Sequence, residues 1–167
     1  EVARVLRADG IATVHCLDWL LPDRPTVGPL MAPIAEIAAP CIVLGASALG
    51  RKGVHELAQA LQGQACEVWV LGTAAADPQV WGHLTVRRAG YGSDWPRHAQ
   101  ALVLPAHIEH APRAALRALA NGVPVVATPA CGLEGLPGVV SVPEGDVPAL
   151  LAALRPLLAP ATPLRHR

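Results

Sequence analysis

The stretch 101–130, ALVLPAHIEHAPRAALRALANGVPVVATPA, constrains the fold more than any other part of the chain. It contains two short apolar runs without polar alternation, 101–106 and 123–128, the pattern of parallel strands covered on both faces. Between them Pro112 suits a first helical turn, where its missing N–H costs nothing, and Ala114 to Ala120 are mostly strong helix formers. Asn121-Gly122 then supplies a left-handed C-terminal cap, and Pro124 forbids continuation. The segment reads as strand, loop, helix, strand, so the expected core is a parallel sheet.

The remaining elements extend this unit. Residues 41–45 form the first strand of the main domain. Residues 52–61 form a helix with Val54, Leu57, Ala58 and Leu61 on one apolar face. Residues 67–73 and 85–91 are further strands; Arg87 and Arg88 cannot both point into a core, which puts the latter at or near an edge. Asp77-Pro78 opens a short helix through Trp81, and Asp94-Trp95-Pro96 opens another leading to Gln100. Residues 139–142 are a last strand, and Asp146 caps a helix through Leu158. Six strands alternating with helices predict an α/β fold, a Rossmann-like doubly wound parallel sheet, over residues 40–158. Residues 1–39 are an extension with a helix at 2–8, a strand at 11–17 and a linker marked by Pro22, Pro25, Pro29 and Pro33. Residues 159–167 are a disordered tail.

With 167 residues there is room for one ordinary domain with a full core, and not for two Rossmann-like ones. Acidic and basic residues balance at 13 each, which argues against a nucleic-acid partner. The cysteines, Cys16, Cys41, Cys66 and Cys131, show no close pairing and read as buried reduced thiols of a cytoplasmic protein. No apolar stretch reaches the ~18 to 20 residues that span a bilayer. A chain starting at Glu1, with Arg4, Arg7 and Asp9 in its first turns, lacks the pattern of a signal peptide and reads as a trimmed piece of something longer.

Two loops carry chemistry. His107-Ile108-Glu109-His110 follows a strand end and precedes a helix start, where open α/β sheets bind ligands. The free N–H groups and partial positive charge of the helix start favour an anionic group such as phosphate. The second loop, 45–53, runs GASALGRKG and ends in Arg51 and Lys52, the only lysine of the chain. Such a small-residue loop can approach a diphosphate closely, with Arg as a fork and Lys as a point charge. It matches neither GxxxxGK[ST] nor GxGxxG. His107, Glu109 and His110 invite a metal reading, but PCxxC and HExxH are both missing, so no metal is expected. The GASAL sequence misses the GxSxG elbow of a hydrolase by one residue.

Glu109, the Ala/Leu-rich helix and Ala118-Leu119-Ala120-Asn121-Gly122-Val123-Pro124-Val125-Val126-Ala127-Thr128 together resemble the donor-binding core of GT-B glycosyltransferases of the family 4 type. Those enzymes carry a Glu, seven residues, a second Glu and a segment like EAMA-x-G-x-PVVAT. Here the second Glu position holds Arg117. Their loop GR-x-x-x-x-KG matches at Lys52-Gly53, with Ala46 in place of the Arg after Gly45 and one residue more between the two ends. Gly132 and Glu134 survive in a shortened version of a GG-x-x-E loop, with Cys131 in place of its first Gly. The end of the extension, with its strand at 11–17, is similar to the last helix and strand of a GT-B N-terminal domain.

The resemblance implies the C-terminal half of a GT-B fold and a retaining glycosyltransferase of glycan or polysaccharide biosynthesis. This chain would supply the domain that binds a nucleoside-diphosphate sugar, inactive by itself and without a cofactor. Lys52 would meet the diphosphate, with Arg51 in place of the family's Arg, and Glu109 would be the catalytic carboxylate that orients the donor sugar. Gly45, Gly90, His110, Arg117, Gly132 and Glu134 would complete the donor site, Gly90 lying in the segment that holds the base. The acceptor, a sugar or glycan, would be held by an N-terminal domain outside this sequence, and peripheral membrane association is left open. Two alternatives share the architecture: a degenerate or separate-chain nucleotide-sugar-binding module without its own catalysis, and a GT-B sugar-nucleotide epimerase.

Overall fold

The computed structural model describes residues 39–72 and 78–158. The chain divides into two compact units, Glu1–Pro33 and Ile34–Arg167, and every described residue belongs to the second. The helix expected at 2–8, the strand at 11–17, the proline-marked linker, Cys16, the Asp77 cap and the tail lie outside the described residues.

Six strands form one all-parallel sheet: β1 (Cys41–Leu44), β2 (Glu67–Leu71), β3 (Thr85–Ala89), β4 (Ala101–Leu104), β5 (Val125–Ala127) and β6 (Val139–Ser141). Their order across the sheet is β3-β2-β1-β4-β5-β6. The chain therefore runs outward from β1 to one edge, returns to pair β4 beside β1, and then runs to the other edge. That reversal leaves a crevice beyond the carboxyl ends of β1 and β4, since the loops leaving these neighbours diverge to opposite sides.

Every residue of the central pair β1 and β4 is buried, which is why their sequences show no alternation. Their side chains divide between two cores. Ile42, Leu44, Ala101 and Val103 face the helices α1 (Val54–Ala60) and α4 (Val147–Leu154) through Leu57, Leu61, Leu150 and Leu154. Cys41, Val43, Leu102 and Leu104 face α3 (Arg113–Ala120) and Trp95. Helix α3 buries only Ala114, Ala115 and Ala118, methyl side chains that let its backbone approach the sheet closely. Each fully buried Leu or Ile on either side contributes on the order of 1.5–3 kcal/mol.

The edge expectation for β3 holds. Both Arg87 and Arg88 are exposed, and Arg87 pairs with Glu67 on β2. Asp146 caps α4 through a bond accepted from the Ala149 N–H at 2.9 Å, and Gly122, at φ 73°, takes up the left-handed turn after α3.

Several boundaries differ from expectation. Pro112 is the residue flanking α3 rather than its first member. Instead of a helix running to Gln100, Trp95–Arg97 makes one 3-10 turn, in which the His98 N–H closes back on the Trp95 carbonyl. Helix α4 ends at Leu154 and is followed by a separate 3-10 turn carrying Pro156. The helix expected from Lys52 is split: Gly50–Lys52 is a 3-10 turn, Gly53 adopts φ 73°, and only then does α1 begin. The remaining short helix, α2 (Pro78–Trp81), buries Trp81 against the α1 side of the sheet.

Candidate functional site

The loop after β1 and the loop after β4 are stitched together at the crevice. Gly53 makes this approach feasible: a Cβ built there would stand 2.0 Å from the Pro105 carbonyl oxygen, so only glycine lets the two backbones meet. The His107 N–H donates to the Arg51 carbonyl at 3.0 Å. The His107 imidazole Nε2 lies 2.8 Å from Glu56 Oε1 on α1. The third stitch is Lys52, whose Nζ donates to the Ile108 carbonyl at 2.7 Å and to Glu109 Oε2 at 2.9 Å.

Glu109 is held from its other side as well. Its Oε1 accepts from the backbone N–H groups of His110 at 2.8 Å and Ala111 at 3.0 Å. Burial pushes its pKa up, but the Ala111 N–H, the Lys52 ammonium and the His110 N–H together outweigh that and keep the carboxyl below its ordinary value. The Lys52 and Glu109 side chains are only 14% and 11% exposed. A carboxylate offers roughly four lone-pair sites and an ammonium about three donors. Three contacts engage Glu109 and two engage Lys52. Each therefore keeps capacity for one more partner, an acceptor on Glu109 and a donor on Lys52.

These residues line a cleft of about 580 Å³. Gly45, Ala46, Ser47, Leu49, Arg51 and Lys52 contribute from the β1 side, and Glu109, His110, Ala111, Arg113, Ala114 and Arg117 from the β4 loop and the first turns of α3. Tyr91 and Trp95, from the segment after β3, complete the lining. Burial raises the Tyr91 pKa, the Glu109 carboxylate adds to the rise, and Arg113 opposes it.

Arg117 lines the same cleft as Lys52, but it pairs with neither Glu109 nor Glu134. Its guanidinium donates to the backbone carbonyls of Tyr91 and of Ser93, the latter at 2.9 Å, and its central carbon lies 5.5 Å from the centroid of the Trp95 ring. Three other expected site residues stand outside the lining. The Gly90 carbonyl closes a turn with the Ser93 N–H and hydroxyl. Gly132, at φ 63°, ends the 3-10 turn Pro129–Cys131, and Gly132 and Glu134 are both exposed. In this loop it is Cys131 that turns inward, its thiol donating to the Leu104 carbonyl at 3.5 Å. Among the described residues no group of three or more His, Cys, Asp and Glu side chains comes together, and no helix is long and apolar enough to cross a membrane.

Sequence reasoning missed Arg113 and Trp95 as lining residues. Arg113 carried a signal, because it stands one helical turn before Arg117 and so shares its face. Trp95 carried none: a tryptophan behind an Asp reads as a helix start, and its aim depends on the sheet order.

A family model described as glycosyl transferases group 1 matches residues 41–160. No curated protein matches the sequence. Among solved structures, sucrose-phosphate synthase from Thermosynechococcus elongatus is 25% identical with a TM-score of 0.60, over 73% of this chain and 37% of that one. WaaG, a glycosyltransferase involved in lipopolysaccharide biosynthesis, is 23% identical with a TM-score of 0.60, over 73% of this chain and 38% of that one. The C-terminal domain of the group 1 family protein LpcC from Francisella tularensis shares the fold at 19% identity and a TM-score of 0.58, over 72% of this chain and 76% of that domain. The chain thus spans less than two fifths of the first two proteins and about three quarters of the isolated C-terminal domain.

Proposed function

This chain belongs to the glycosyl transferases group 1 family, and from that premise we propose that it supplies the nucleotide-sugar donor-binding domain of a retaining glycosyltransferase acting in glycan or polysaccharide biosynthesis. The observation that carries the reading is the Lys52–Glu109 pair at the mouth of α3, with one donor and one acceptor left over. The diphosphate of a nucleoside-diphosphate sugar takes the remaining Lys52 N–H and lies toward the N-terminus of α3, with the exposed Arg51 and Arg113 as further cations.

As the glycosidic bond to phosphate breaks, negative charge grows on the departing phosphate oxygen. Lys52 and the helix start stabilise that charge more in the transition state than in the bound donor, which is what accelerates the step. Glu109, held on both oxygens, accepts a hydrogen bond from a hydroxyl of the donor sugar and fixes its orientation. The acceptor sugar or glycan and any base that activates it belong to a further domain, and the protein works in the cytoplasm with no metal cofactor.

Calorimetry with UDP, GDP, ADP and CDP and with their sugars tests this. At least one binds, and Lys52→Ala weakens it by about 1–3 kcal/mol, the range for a charge-assisted hydrogen bond. Absence of binding by all of them contradicts the proposal. A binding module without catalysis is the second reading, favoured by Arg117, which offers no acceptor where a carboxylate could receive ribose hydroxyls. Detectable donor binding without sugar transfer by the full-length protein, given a panel of sugar acceptors, decides for it.

A further inference from the structure

We propose that Arg117 is a positioning residue for ligand selectivity: it anchors the segment 90–95 at Tyr91 and Ser93, and thereby sets the wall that Tyr91 and the loop backbone present to the cleft. Tyr91 and Ser93 lie on a loop that leaves an edge strand, and Tyr91 is 51% exposed. Internally the loop has one small turn, in which the Ser93 N–H and hydroxyl both reach the Gly90 carbonyl. A loop this short of internal bonds gains its conformation from what it is tied to.

Arg117 provides the tie at Tyr91 and Ser93, while the far end of the segment is held by the core burial of Trp95 and the Arg97–Asp94 ion pair. Arg117 rises from the flank of α3, whose neighbouring face is packed on the sheet through Ala114, Ala115 and Ala118. Its planar fork spans two carbonyls separated by one residue, and it lies against a tryptophan that is itself 1% exposed and part of the core. The fork geometry makes the arrangement specific to arginine: a lysine ammonium is a point donor without the planar fork that bridges both carbonyls. Asn121 Nδ2 donates to the Arg117 carbonyl at 2.8 Å, fixing the last turn of α3 behind it.

The chemical consequence is a cleft wall made of the half-exposed Tyr91 ring and loop backbone groups, with Trp95 buried behind Arg117. A planar heterocycle fits such a wall by stacking. Which heterocycle fits is then decided by where the loop holds its backbone, and so at a distance by Arg117. This selectivity rests on the nucleotide-sugar reading above; the anchoring itself does not.

The two are separable by experiment on the full chain. Amide hydrogen exchange of the ligand-free protein comes first. Arg117→Met raises exchange at 90–95 about tenfold and leaves β1 and β4 unchanged, and Arg117→Lys falls between. If Arg117→Met does not fold by circular dichroism, Arg117→Lys alone decides. Unchanged exchange at 90–95 overturns the anchoring whatever the protein binds. The second measurement is the ratio of dissociation constants across UDP, GDP, ADP and CDP. Loss of anchoring shrinks the ratio between the best and the other nucleotides at least several-fold in Arg117→Met, with partial rescue in Arg117→Lys, whereas general destabilisation leaves the ratio intact. Raised exchange with an unchanged ratio overturns the selectivity. If the wild-type chain binds none of the four, the donor-binding reading and the selectivity fall together, while exchange still judges the anchor.

Discussion

Lys52 and Glu109, 57 positions apart in the chain, meet at 2.9 Å, and neither is paired there by a regular element. Lys52 is carried by a 3-10 turn after β1, and Glu109 by the loop after β4. Because β1 and β4 are the neighbours at which the strand order reverses, the pair marks a place where both loops can serve a single ligand.

Glu109 makes stability depend on pH. Its folded pKa is depressed below the ordinary 4.5, so its contribution is fully present above that value and is lost as pH falls through the lowered folded one. Wild type is therefore more stable than Glu109→Gln near pH 7, and the difference closes as pH falls below about 4.5 toward the lowered folded pKa. Urea melts of both proteins across pH 3 to about 7 check the expectation; a difference that grows on acidification contradicts it.

Gly53→Ala combines a left-handed φ of 73° with a methyl 2.0 Å from the Pro105 carbonyl oxygen. We expect a loss of more than about 2 kcal/mol, because both the backbone strain and the clash must be relieved. Denaturant unfolding measures it. In contrast Gly63→Ala, also at positive φ but with open space around it, is expected to cost only about 1 kcal/mol.

The described thiols are inert in the folded protein. Burial pushes the Cys41 pKa up to about 12, with Glu67 and Cys66 adding to the rise and Arg87 opposing it. Burial also raises Cys66 and, as the largest of several causes, Cys131. Thiolate is the reactive form, so iodoacetamide at about pH 8 leaves these three unmodified in the native state and labels them after unfolding in urea. Peptide mass spectrometry reads the sites, and rapid native labelling of Cys41 would contradict the burial argument.

The sheet was legible in the sequence because its central strands are buried on both faces, so Cys41–Leu44 and Ala101–Leu104 appear as unbroken apolar runs. The edge position of β3 was legible for the opposite reason, two adjacent arginines. Helix ends were less so: Gly53 was visible as a glycine after a lysine, but the close approach of the Pro105 carbonyl from the loop after β4, which leaves no room for a Cβ there, was not. The partners of Arg117 were not legible at all. They are backbone carbonyls, which any residue carries, so no letter at 91 or 93 announces them. Gly132 and Glu134 are exposed and stand outside the cleft lining, while Cys131 beside them is buried.

The central claim is that the crevice between the loops of β1 and β4 receives a nucleoside diphosphate. Amide shift mapping by NMR on the ¹⁵N-labelled chain, titrated with UDP, GDP, ADP and CDP in turn, tests it most directly. The account predicts that at least one of them shifts the amides of residues 45–53 and 109–114 together, and that Lys52→Ala raises its dissociation constant by roughly 5- to 150-fold. Shifts confined to other faces of the sheet, or none with any of the four, would contradict it.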